Sequence, residues 1–153
     1  FQKRAIIKRD HKVLKDVYVD AIESISSNDY TYPQIQAWAS KSFLPGLFDK
    51  CLIEGKGWVS LEQGKIVAFA MRYPSNRLAL LYCRGLAKNK GHASSLLKEI
   101  EEEASQEGEK YLVTEASLIS QPLLSKMGWN IIYQEEILIA GIPFKRYRMK
   151  KLL

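Results

Sequence analysis

The sequence predicts a mixed α/β fold built around one sheet, and three observations carry that prediction. Apolar residues return at helical spacing in two separate stretches: Val13, Leu14, Val17, Ala21, Ile22 and Ile25, then Leu96, Leu97, Ile100 and Ala104. Short runs rich in β-branched and aromatic residues stand between turn-forming clusters. The two patterns follow one another in the order β-α-α-β-β-β-α-β-α-β-β, which suits helices packed on a sheet.

Each element has a local reason. Ala5-Ile6-Ile7-Lys8-Arg9 reads as a first strand, and Asp10 as the cap of the helix behind it. Ser26-Ser27-Asn28-Asp29 breaks that helix. Pro33 suits the first turn of a short helix running through Trp38. Residues 42–50 read as a further helical turn interrupted by Pro45 and Gly46. Residues 57–61 and 65–70 flank Glu62-Gln63-Gly64 and form a hairpin. After Pro74-Ser75-Asn76, the run Leu78-Ala79-Leu80-Leu81-Tyr82-Cys83 is a strand, and residues 94–106 form an amphipathic helix ended by Gly108. In that helix Glu99, Glu101, Glu102 and Glu103 are expected to face solvent. Residues 111–116 form a strand, and Ser120 and Pro122 open a short helix that stops at Gly128. Residues 129–135 and 144–150 form a last antiparallel pair joined through Gly141-Ile142-Pro143.

At 153 residues, with 46% hydrophobic and 26% charged side chains, the chain is read as one domain, 1–153, with an ordinary core. No apolar run reaches the roughly 20 residues that span a bilayer, so no membrane partner is expected. The formal charge of +6 favours acidic ligands. It comes from scattered lysines, without a zinc finger, basic zipper or aromatic RNA-binding motif, so nucleic acid is not the expected partner. Cys51 and Cys83 lack close spacing and read as two reduced thiols of a cytoplasmic protein, with no metal site.

The most informative segment is Lys88-Asn89-Lys90-Gly91-His92-Ala93, placed between a strand and a helix start. Free N–H groups and the dipole at a helix N-terminus favour an anion. Gly91 permits close backbone approach, and Ala93 keeps the next side chain small. Lys88, Lys90 and His92 offer positive charge. A phosphate-bearing cofactor is the ligand this pattern suggests.

Together with three other segments, this loop resembles the GNAT superfamily of acyl-CoA-dependent N-acyltransferases. The loop is similar to the family's pyrophosphate motif Gln/Arg-x-x-Gly-x-Gly/Ala, with Lys88 in the first place. Glu115-Ala116-Ser117 with Pro122-Leu123-Leu124-Ser125-Lys126-Met127-Gly128-Trp129 is similar to the later family segment. Residues 30–39 and 141–152 resemble the entry helix and last strand of a subgroup of small bacterial acetyltransferases.

The resemblance implies a mostly antiparallel mixed sheet whose central strands splay, flanked by helices. It implies that acetyl-CoA is held by Lys88, Asn89, Lys90, Gly91, His92 and Ala93, by backbone at Leu81, Tyr82 and Cys83, and by Ser117. Glu115 and Tyr82 are the implied catalytic residues, and Tyr30 and Trp38 the implied acceptor-binding ones. Each has a plainer alternative: Glu115 a strand-end carboxylate, Tyr82 a packed strand residue, Ser117 a turn cap, His92 a surface residue, Tyr30 and Trp38 core anchors. Cys83 reads as an apolar filler rather than a nucleophile.

Three departures stand out. Leu124 replaces the family tyrosine that protonates the leaving thiolate, Ala79 replaces a frequent acid, and Gly85 stands where proline is common. The expectation is an N-acetyltransferase acting directly on a small-molecule or peptide amine. The alternative is a catalytically weak acyl-CoA-binding module. The last strand pair leaves an edge on which a second copy can form a homodimer.

Overall fold

The computed structural model describes residues 2–41 and 46–153. Strands β1 (Gln2–Ala5), β2 (Lys56–Glu62), β3 (Lys65–Arg72), β4 (Arg77–Cys83), β5 (Tyr111–Ala116), β6 (Asn130–Ile139) and β7 (Ile142–Leu152) form one seven-stranded sheet. Its order is β1-β2-β3-β4-β5-β7-β6. Every neighbouring pair is antiparallel except β4 and β5. The α/β class is therefore a mixed, mostly antiparallel sheet.

Helices α1 (His11–Glu23), α2 (Tyr32–Ser40), α3 (Leu47–Glu54), α4 (His92–Gln106) and α5 (Ser120–Lys126) cover the two faces. On one face Leu14, Val17, Tyr18 and Ile22 of α1, with Ile35 of α2 and Phe48 of α3, pack on Val59, Phe69 and Met71. On the other, Leu96, Leu97 and Ile100 of α4, with Leu124 of α5, pack on Ala68, Ala70, Leu112 and Met149. The three α4 residues are wholly buried, and each contributes about 2–3 kcal/mol of hydrophobic stabilisation. Among the described residues no helix is long and apolar enough to cross a membrane.

Several local expectations are corrected. The first strand ends at Ala5, and Asp10, although it stands at the N-cap position of α1, makes no side-chain bond to the helix amides. Instead its buried carboxylate accepts from Arg4 and from the Ile7 amide at 2.9 Å, which turns the chain before the helix. The Arg4 guanidinium beside Asp10 also holds its carboxyl below the usual carboxylate range. Helix α3 begins at Leu47 and adds an element to the expected order; residues 42–45 of the expected turn lie outside the described residues. Ile142 and Pro143 belong to β7, because the tight turn is made by Ala140 and Gly141.

The acidic face of α4 is not simply solvated. Glu103 accepts from the Trp58 indole at 3.1 Å and from Arg72 at 2.9 Å, and Glu101 accepts from Trp129 and Lys151. Arg72 lies fully buried in β3 and also reaches Glu107 at 2.8 Å. The repeated glutamates tie α4 to the sheet.

Candidate active site

The sheet divides where its two parallel strands meet. Strands β4 and β5 pair only at Arg77 with Val113 and Leu78 with Thr114. The Thr114 hydroxyl donates to the Leu78 carbonyl at 2.7 Å and closes the crotch of the fork. Beyond it β4 continues beside β3 alone. Ala79 is the extra residue of a bulge, since Leu78 faces Arg72 and Leu80 faces Met71.

Backbone direction follows from the register. Arg84 donates to the Val67 carbonyl, so even-numbered residues above the bulge turn their peptide groups toward β3. Leu81 and Cys83 consequently turn theirs into the gap, where β5 no longer supplies partners. Among the described residues no strand pairs with these peptide groups on that side, and such a gap suits a ligand able to hydrogen-bond along an extended chain.

The loop before α4 stands at the mouth of this gap. Gly91 is the N-cap of α4 at φ 90°, ψ 5°, and Asn89 is also left-handed at φ 61°. The first helical bond of α4 runs from Ser95 to the Gly91 carbonyl. The amides of Gly91, Ala93 and Ser94 therefore have no acceptor within the helix, and they form a concave donor set for an anion.

Gly85 belongs to the same support. Its N–H donates to Asp20 at 3.0 Å, and an added Cβ would lie 2.7 Å from Ser24 Cβ. Proline there would remove the donor and crowd α1, which explains glycine at this position.

The basic side chains of the loop are placed differently from expectation. Lys88 Nζ donates to the Ser24 carbonyl at 3.2 Å, pinning the loop to the end of α1, and Lys90 pairs with Glu62 at 3.3 Å. The His92 imidazole is turned inward and is 1% exposed, with Nδ1 2.6 Å from Ser60 Oγ and Nε2 3.2 Å from Glu62. Its side chain is thus neither a surface group nor a phosphate contact, because packing against β2 fixes α4 to the sheet. Only its backbone stays on the loop that opens α4.

Two cavities share the fork. A cleft of about 740 Å³ runs over Leu81, Cys83, Lys88, Asn89, Gly91 and Ala93 on one side and Ser117, Ser120 and Leu124 on the other. A smaller pocket of about 140 Å³ lies under α2 and α3. Trp38, Ala79, Leu80, Tyr82, Glu115 and Ser117 line both. The sequence-derived candidates therefore converge except for Lys90, which lines neither cavity, with Tyr30 lining the smaller pocket alone.

Their surroundings define what each can do. Tyr82 packs edge-on to Tyr18 at 4.7 Å, and burial pushes its hydroxyl up to about 12, so it stays protonated. Tyr30 accepts from the Leu118 amide at 2.9 Å and stacks edge-on to Trp38 at 5.3 Å. Ser117 accepts from the Ile119 and Ser120 amides, which shapes the turn between β5 and α5 while keeping its hydroxyl in the cleft wall. Burial pushes the Cys83 thiol up to about 11, so little thiolate is present at neutral pH. Leu124 is 1% exposed and belongs to the apolar core.

Glu115 is engaged more heavily than its sequence suggests. Arg77 Nε donates to both its oxygens, at 2.9 and 3.2 Å, and Arg148 adds a bond at 3.2 Å. Arg148 and Arg146 in turn share Glu135. The result is a ladder across β4, β5, β7 and β6, set by the pairing of Glu115 with Arg148 and of Glu135 with Arg146. Sequence reasoning missed this ladder, along with Lys41 and Lys145 beside the smaller pocket. The Lys145-Arg146 dipeptide was visible, but only register places it at a cavity.

Comparison with known proteins agrees with this geometry. Residues 26–151 match the family model described as an acetyltransferase (GNAT) domain. The chain is 23% identical over 141 residues to the uncharacterised N-acetyltransferase YafP of Escherichia coli, covering 92% of this chain and 89% of that protein. A GCN5-related N-acetyltransferase structure from Rhodopseudomonas palustris superposes with a TM-score of 0.92 at 24% identity, over 99% of this chain and 95% of that one. The PaiA N-acetyltransferase of Thermoplasma acidophilum, solved with coenzyme A, superposes with a TM-score of 0.74 at 15% identity over the full length of both. The chain, with its forked sheet and amide-lined loop, belongs to the GNAT acetyltransferase family.

Proposed function

We propose that this protein transfers the acetyl group of acetyl-CoA directly to the amine of a small molecule or peptide. The observation that carries the reading is the parting of β4 and β5 beyond Leu78 and Thr114, with the N-terminal amides of α4 at its mouth. The amides of Gly91 and Ala93, with the backbone of Lys88, Asn89, Lys90 and His92, hold the diphosphate. The peptide groups of Leu81 and Cys83 hold the extended arm, beside Tyr82, and Ser117 bounds it from the β5 side. When bound, acetyl-CoA supplies an activated thioester carbonyl.

The chain's own residues then supply placement and electrostatics. The acceptor amine enters from the smaller pocket between Tyr30 and Trp38 and meets the carbonyl near Tyr82 and Glu115, where the cavities join. A backbone N–H beside the Ala79 bulge stabilises the developing oxyanion. Arg77 and Arg148 orient the Glu115 carboxylate through three hydrogen bonds, so its part is to fix the wall of the pocket and relay a proton through water. Cys83, held as a thiol, forms no acyl intermediate. Because Leu124 donates no proton, the leaving thiolate takes one from water or from cleft hydroxyls such as Ser117.

Calorimetry with acetyl-CoA, followed by thiol release across an amine panel, tests the reading. Micromolar binding with turnover of an acceptor is the expected result. Absence of binding at high micromolar acetyl-CoA would refute it. The Leu124 substitution favours a second reading, an acyl-CoA-binding module with little turnover. Tight binding with no thiol release from any amine would select that one.

A further inference from the structure

Resting on the acetyltransferase reading, we infer that the acceptor is an amine carrying a carboxylate, with its apolar body on the aromatic floor of the smaller pocket and its carboxylate on the Arg146 end of the arginine ladder. The pocket has two chemically distinct parts. Its floor is aromatic: Trp38 lies 5.3 Å from Tyr30 and 6.3 Å from Phe144, centroid to centroid. Among the described residues its wall and rim hold Lys41, Arg77, Lys145 and Arg146 against one lining carboxylate, Glu115. The floor suits a hydrocarbon body, and the rim suits an anion.

The ladder shows which anion fits. Arginine and carboxylate alternate from Arg77 through Glu115, Arg148 and Glu135 to Arg146. Arg146 spends only its Nε on Glu135; among the described residues its two terminal nitrogens make no bond. A substrate carboxylate on that fork would continue the alternation with the bidentate geometry arginine favours. Lys41 and Lys145, which have no ion pair among the described residues, stand beside the same opening.

The same charges decide the state of the reacting amine. An ammonium cannot attack a thioester. A pocket with more cations than anions disfavours the ammonium and favours the free amine. The Lys41 ammonium already feels this field: desolvation, then the charges of Arg146 and Arg77, push it down from its ordinary value. An acceptor without an anionic group gains nothing from these residues, and a polycation is repelled. A carboxylate-bearing amine brings the compensating charge with it and needs no strong base at Glu115.

Matched pairs on one skeleton provide the test: phenylalanine with phenethylamine, and 6-aminohexanoate with pentylamine. Phosphoethanolamine is the comparison anion. The carboxylated member of at least one pair should be preferred by about tenfold or more in kcat/KM, the worth of one charge-assisted hydrogen bond. Arg146→Gln and Lys41→Met should shrink that preference severalfold, with acetyl-CoA binding as the control that each variant is folded. Lys41 lies off the ladder, so its variant separates charge from ladder integrity. Equal or better turnover of the decarboxylated amines overturns the inference while leaving the transferase reading intact, and a preference for phosphoethanolamine over every amino acid also overturns it. Should no amine be turned over, the N-acetyl products decide by calorimetry on the CoA-loaded protein. Tighter binding of N-acetylphenylalanine than of N-acetylphenethylamine upholds the assignment, and equal or no binding refutes it.

Discussion

Replacing Gly91 by glutamate should selectively destroy diphosphate binding, and Gly91→Gln is its control. Gly91 caps α4 at φ 90°, so either side chain brings left-handed strain of about 1–2 kcal/mol, read equally in both variants as lost stability. Only glutamate adds charge. A carboxylate about 6 Å from a phosphate costs roughly 0.7 kcal/mol in a fully aqueous dielectric and about 3 kcal/mol at an effective dielectric near 20. Two phosphate charges at the mouth of the fork bring the total to about 1.4–6 kcal/mol. Isothermal titration with acetyl-CoA at low salt should therefore show Gly91→Glu at least about tenfold weaker than Gly91→Gln. Raising the salt should narrow the ratio. Equal affinities within threefold, with both proteins folded, would refute the placement of the diphosphate.

Two further substitutions test the supports of the site. Arg72→Ala removes the buried cation joining β3 to Glu103 and Glu107; because those carboxylates can rehydrate, the loss should be about 2–3 kcal/mol in urea unfolding, with Arg72→Met losing less. A loss under about 0.5 kcal/mol would show the clamp to be idle. Gly85→Pro deletes the donor to Asp20 and crowds Ser24, so it should cost about 1–3 kcal/mol and weaken acetyl-CoA binding. Unchanged melting and affinity would contradict the account of why glycine stands there.

What the sequence made legible followed from local physics. The periodic apolar faces of α1 and α4, the Gln63-Gly64 turn and the glycine opening α4 each depend on neighbours a few residues away. The fork was inferred through resemblance, and the pairing of β4 with β5 bears it out. What stayed hidden depended on register. Nothing near Glu115 in the chain announces Arg77 or Arg148, which reach it across strands. His92 looked like part of a basic loop because the loop is basic, whereas the helix turn it begins carries it into the sheet. Asp10 looked like a cap because an acid before an apolar helix usually is one; Arg4 and the Ile7 amide claimed it first.

The forked sheet with its amide cradle is most directly tested by following backbone amide resonances while acetyl-CoA is added. The account predicts the largest shifts at Leu81, Cys83, Gly91 and Ala93, saturating together at one affinity. Saturable binding that leaves those four amides unmoved and shifts another face of the protein would contradict it.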